Sequence, residues 1–106
     1  MTLTERLKEF KQIITLADSN AKHYESVKQG NYTAWSEYGT DPLIADDSNC
    51  EETIKIQIDR FTKIEFDPVV EDIKTVLDGH DITYDYLIDY ETETKYIHHI
   101  FDCRYD

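Results

Sequence analysis

Proline and glycine are scarce in this chain of 106 residues, at two and three copies. That leaves little room for long flexible linkers. Cysteine is equally rare. Cys50 and Cys103 lie far apart with no CxxC spacing, which excludes a disulfide framework of the secreted kind and predicts reduced thiols inside a cell. No apolar run approaches the ~20 residues of a membrane span. The opening segment "MTLTERLKEFKQ" lacks the apolar stretch of a signal peptide. The expectation is a soluble protein that starts its life in a cytoplasm. Positive charge is also in short supply, with 11 Lys and Arg against 23 Asp and Glu and a net charge of −12. Such a surface repels phosphates and disfavours ordinary nucleic-acid binding.

Catalytic signatures are missing as well. The chain carries no glycine-rich phosphate loop, no GxSxG and no HExxH. His98 and His99 are adjacent, so on a strand they point to opposite faces and cannot easily share a metal. His23 and His80 have no ligating context. Cys50 sits among carboxylates that would raise its pKa and blunt a nucleophile. "DDSNCEE" lacks the frame of a calcium loop. No enzyme, metal or cofactor is expected.

What is present suits one folded domain over 1–106, of common domain size. Hydrophobic residues make up 40%, with eight Tyr, four Phe and one Trp, enough apolar matter to argue against wholesale disorder. The acidity is uneven. Residues 1–30 hold five basic and four acidic side chains, whereas 31–106 hold six and nineteen. This acidic part could face a basic partner, line a conduit that must not hold DNA, imitate DNA, or simply be solvated.

Leu3, Leu7, Phe10, Ile14 and Ala17 fall on one helical stripe, and Thr2 and Glu5 have capping-box spacing; residues 2–18 are predicted to be a helix. A short strand is expected at 23–27, then a turn at 28–31. Residues 32–38 alternate as a strand that anchors Trp35 in the core. Residues 39–52 are expected to be irregular, because Gly39, Pro42 and an Asp/Ser/Asn cluster disfavour regular structure. Leu43 and Ile44 there either dock on a neighbour or fold back. Strand 53–62 buries Ile54, Ile56 and Ile58. Phe61 breaks the phase, through a bulge near 59–60 or by covering the second face. Asp67 and Pro68 start a helix over 68–78, with Val70, Ile73 and Leu77 inward and Gly79 at the C′ position. Strands 82–90 and 95–103 flank the turn "ETET" as a hairpin. The predicted class is α+β, a four- to five-stranded mainly antiparallel sheet with an N-terminal helix and a second helix packed on one face.

From Tyr32 to Cys103 the chain resembles the tail-terminator (tail-completion, head–tail joining) proteins of long-tailed phages and prophages of Gram-positive bacteria. The stretches that carry the likeness are "YTAWSEYG", "IADDSNCEETIKIQIDRFTK", "EFDPVVEDIKTVLDGHDITY" and "YETETKYIHHIFDC". Their order is the evidence. Where the family has AD-N, this chain has ADD. The resemblance implies a structural role without catalysis or cofactor: a self-assembled ring, typically a hexamer, on the head-proximal end of the tail tube. Implied partners are the tail tube protein and the head-completion (connector) protein, with DNA passing through the lumen and no membrane or sequence-specific nucleic acid. Implied locations are the host cytoplasm during assembly and then the virion tail. The contact elements expected are the loop 40–50 and the hairpin 84–100, with Leu43, Ile44, Asp46, Asp47, Tyr86, Tyr90, Tyr96 and His98 as interface candidates. Two other readings fit the charge: an acidic DNA-mimic inhibitor of the anti-restriction or anti-CRISPR type, and an immunity protein against a basic nuclease toxin.

Overall fold

The computed structural model describes residues 1–26, 29–42 and 52–106. The interface candidates Leu43, Ile44, Asp46 and Asp47 lie outside them, as does Val27. The elements run α1 (Leu3–Ala17), β1 (Lys22–His23), β2 (Tyr32–Pro42), β3 (Glu52–Thr62), α2 (Pro68–Gly79), β4 (Thr83–Tyr90) and β5 (Ile97–Tyr105). The sheet order is β1-β2-β3-β5-β4. Only the short β1–β2 pair is parallel; the other three pairs are antiparallel. The α+β class holds, with both helices in the same core on one face of a five-stranded sheet.

The helices begin as their sequences dictate. The Thr2 hydroxyl accepts the Glu5 N–H at 3.1 Å and the Glu5 carboxylate accepts from Thr2, which completes the capping box. Asp67 caps α2 by accepting the Val69 N–H at 3.1 Å, with Pro68 in the first turn. The stop of α2 differs from expectation. Gly79 is the last helical residue, and Asp81 takes the left-handed conformation at φ 56°. Aspartate tolerates that region better than most residues, and the Ile82 N–H returns to the Leu77 carbonyl at 2.9 Å.

β3 is the centre of the core. Ile54, Ile56 and Ile58 are fully buried, facing Phe10, Ile14, Ile73 and Leu77. Phe101, Cys103 and Tyr105 of β5 and Trp35 of β2 complete the layer. Trp35 is the anchor expected, its ring 5.2 Å from that of Phe10. Burial pushes the Cys103 thiol up to about 12, so this cysteine packs as a small hydrophobe. β3 pairs with β5 without a break from Ile54↔Tyr105 to Thr62↔Ile97. Of the two options for Phe61, the second holds: the ring lies on the opposite face, between Tyr32 and His98, with centroids 4.9 and 4.0 Å away.

Three expectations need correction. The short strand expected at 23–27 is only Lys22–His23, and residues 24–26 are not strand. β2 continues through residues 39–42, which were expected to be irregular. The register shifts between Glu37 and Gly39, so a bulge at Tyr38 absorbs the awkward glycine, and Pro42 sits at the strand end, where a missing N–H is tolerated. The α1 stripe is rotated: Leu3 is exposed, while Arg6 and Ile13 are buried.

Arg6 is buried because it closes the bottom of the core. Its guanidinium donates to the Glu52 carbonyl at 2.7 Å and the Tyr105 carbonyl at 2.9 Å. It therefore pins α1 to the adjoining ends of β3 and β5. Replacing it by Met leaves two acceptors without a donor, and about 2–3 kcal/mol of stability should be lost. Urea unfolding of Arg6→Met measures this; a loss under about 0.5 kcal/mol contradicts the tether.

Candidate interaction surface

β4 forms one edge of the sheet, and among the described residues it pairs only with β5. An edge strand turns alternate N–H and C=O groups to the outside, ready to accept another strand. Here the edge is also apolar. Leu87 and Ile88 are 61% and 60% exposed, and Tyr90 is 55% exposed. Further back, Tyr84 and Tyr86 are half-buried against the core because α2 lies over them. α2 has 12 residues and β4 has 8. At about 1.5 Å per helical residue and about 3.4 Å per strand residue, α2 spans ~18 Å and β4 ~27 Å. The hairpin outruns the helix, and its tip has no cover.

A groove of ≈ 280 Å³ lies where α2 gives out, lined by Phe66, Val70, Tyr86, Ile88, Ile97 and His99 on its apolar and aromatic side. The carboxylates of Asp67 and Glu71 also border it. Tyr86 and His99 are joined by a hydrogen bond of 2.6 Å between the phenol oxygen and Nδ1. Burial lowers the His99 pKa and raises that of Tyr86, so a neutral imidazole accepting the phenol O–H is the consistent arrangement at neutral pH. Lys74 Nζ sits 4.1 Å from the Tyr86 ring centroid, which holds that ring in place.

Phe66 stands on the groove's rim, 91% exposed, with φ at 60°. A phenylalanine in the left-handed region costs about 1–2 kcal/mol. The adjoining residue, Asp67, holds the backbone there. It is buried and accepts from Arg60 Nε at 3.0 Å, while Arg60 Nη1 also reaches Asp18 at 3.4 Å and Thr33 at 3.3 Å. One buried guanidinium thus locks the strand end, the α1 end and the α2 cap to each other. Burial alone would raise the Asp67 pKa. The Val69 N–H, the Thr62 hydroxyl and the Arg60 charge outweigh it and hold the carboxyl below its ordinary value.

The four described interface candidates divide between two faces. Tyr86 and Tyr90 are on the helix side of β4, one half-buried and one exposed. Tyr96 is buried at 9% exposure; its hydroxyl donates to the Gly30 carbonyl at 2.7 Å, and its ring packs edge-on to Phe61 and Tyr32. His98 lies on the open sheet face, 2.7 Å from Asp59 and stacked on Phe61. Tyr90 alone of the four is freely presented at the tip. Phe66, Leu87 and Ile88 were not singled out by sequence. The available signal was an aromatic placed directly before a helix cap, in "KIEFDP".

The open face mixes matched charges with apolar side chains such as Leu87 and Phe61. Asp59 meets His98, Asp85 meets Arg104 at 3.8 Å, Asp41 meets Lys55 at 3.4 Å, and the Tyr38 hydroxyl donates to Asp102. Among the described residues, no group of three or more His, Cys, Asp or Glu is placed to hold a metal ion. No described helix is long and apolar enough to cross a membrane. Compared with protein-family models and with curated proteins, the chain matches none.

The Arg60–Asp67 lock has a pH signature. The folded pKa of Asp67 is depressed, so its contribution is complete above the unfolded value of about 3.9. It is lost as pH falls through the lower folded value. Asparagine caps a helix as well as aspartate does, so Asp67→Asn removes charge and little else. The variant should lose about 2 kcal/mol at pH 7 and lose less than the wild type on acidification below pH ~4. Urea unfolding across that range checks it, and parallel acid losses in the two proteins contradict the assignment.

Proposed function

We propose that this protein is a tail-terminator subunit of a long-tailed phage: a structural protein that assembles as a ring on the head-proximal end of the tail tube, stops its polymerisation and offers the head-completion complex a surface. The observation that carries this reading is the bare β4 edge, where Leu87, Ile88 and Tyr90 are exposed and where Ile88 and the exposed Phe66 border a groove. A protein that works alone seldom leaves an apolar strand edge open, because it invites association. A protein whose task is to associate needs one. The order of motifs from Tyr32 to Cys103 supports the same reading, and the net charge of −12 suits a ring through which DNA slides without sticking.

The DNA-mimic alternative draws on the same charge but fits the open sheet face less well. Its carboxylates at Asp59, Asp85 and Asp102 are each tied to a neighbouring base or hydroxyl, whereas mimicry of phosphates calls for carboxylates free to meet a basic partner.

The test is electron microscopy of phage particles made without this gene, scoring tail length and head attachment. Tails of excessive, uncontrolled length, detached from DNA-filled heads, are expected. Normal tails on infectious particles would contradict termination and shift the weight to an inhibitor or immunity role.

A further inference from the structure

The outer side of β4 has a definite charge as well as a free edge. From Asp81 to Thr94 the chain holds five acidic side chains and no lysine or arginine. Asp85, Leu87 and Asp89 stand exposed on the open face of the strand, beside Asp102, Ile100 and His98 of β5. Asp85 meets Arg104 at 3.8 Å, but both side chains are solvated and such a pair is weak. The neighbouring His98 is engaged by Asp59 at 2.7 Å. Asp89 has no ion-pair partner among the described residues. On the other face Tyr86 and Ile88 line the groove of ≈ 280 Å³, which Phe66 and Ile97 also border.

A second copy fits this edge poorly. Two β4 strands paired antiparallel about Leu87 would set Asp85 of each against Asp89 of the other, and like charges directly opposite are destabilising. The next registers that keep every side chain on its own face set Leu87 against Asp85 or against Asp89. A strand with a base opposite each aspartate and apolar side chains between them has neither fault. We propose that the β4 edge takes up an extended segment of a different protein, with the pattern basic–apolar–apolar–apolar–basic, as a further strand of the sheet. Its main chain pairs with the outward N–H and C=O groups of β4, and its alternate side chains give the selectivity. The two bases meet Asp85 and Asp89, and the central apolar residue covers Leu87. The remaining two lie on the helix side, against Tyr86 and Ile88. The side chain opposite Ile88 stands about 5 Å away, at the mouth of the groove, whose volume it can enter. The pattern is symmetrical, so either strand direction satisfies it. No run of this pattern occurs in the 106 residues of the chain. The inference deepens the assembly reading above and rests on it for the partner's being a phage structural protein.

The test is NMR titration of the ¹⁵N-labelled full-length protein with the capped peptide Gly-Lys-Val-Leu-Val-Lys-Gly. Shifts and new amide protection should centre on β4 and the residues lining the groove. A peptide with glutamate in place of both lysines should bind about tenfold or more weakly. Two further peptides carry N-methyl groups on one or the other set of alternate main-chain amides. Only one set of an added strand faces β4, so one of these peptides should fail and the other should bind. The charge-swapped protein Asp85→Lys/Asp89→Lys, altered at two exposed positions and checked for folding by circular dichroism, should prefer the glutamate peptide. No binding at millimolar peptide, shifts centred elsewhere, equal binding of the lysine and glutamate peptides, or equal binding of the two methylated peptides overturns the proposal. So do concentration-dependent shifts along Thr83–Tyr90 in the protein alone, which would make a second copy the occupant. Failure here is distinguishable from failure of the tail reading. Normal tails with Asp85→Lys/Asp89→Lys but overlong tails without the gene remove this contact alone, whereas peptide binding at β4 with normal tails without the gene removes termination alone.

Discussion

Two helices must cover a five-stranded sheet, and they cover one face of it incompletely. Burial concentrates where coverage is best, on Ile54, Ile56 and Ile58 of β3 and on Phe101 and Cys103 of β5. It fades along the β4–β5 hairpin, because the helix above is shorter than the strands below. Each large apolar side chain that stays exposed there leaves about 1.5–3 kcal/mol of burial unused. The open groove and the uncovered hairpin tip are consequences of that one mismatch in length.

Two buried arginines keep the uncovered part rigid. Arg6 fastens α1 to the ends of β3 and β5. Arg60 fastens the α2 cap to β2 and to the end of α1. A guanidinium suits both places, since its fixed fork can satisfy several acceptors at once. The Arg60 lock holds Asp67, the residue next to Phe66, so the most exposed ring among the described residues adjoins a well-anchored corner. Rigid presentation lowers the ordering cost of association.

The elements were legible in sequence wherever local chemistry sets them. The Thr2–Glu5 box, the Asp67–Pro68 start and the alternation of Ile54, Ile56 and Ile58 each name their own structure. What could not be read depends on neighbours. Arg6 and Arg60 look like surface charge until strand ends and a helix cap supply their acceptors. Tyr96 and Tyr90 look alike on a hairpin, yet one is roofed by Tyr32 and Phe61 and the other is bare. The bulge at Tyr38 and the parallel β1–β2 pair arise from the fit between strands rather than from either strand. Nothing in the sequence pattern assigns Phe66 a side, and the left-handed backbone accompanies its outward position. Of the expected contact loop 40–50, residues 40–42 continue β2 and the rest lies outside the described residues, whereas the hairpin tip emerged from chain lengths that periodicity alone does not compare.

On the proposed tail-terminator reading, the β4 edge and the groove beside it are the surface that would meet the assembly. Hydrogen–deuterium exchange compares that edge in the isolated subunit and in assembled phage tails. The account predicts that the outward amides of Thr83–Tyr90 exchange quickly in the free protein and become strongly protected in the particle, while β3 is protected in both. Equal exchange along β4 in the two states would contradict it.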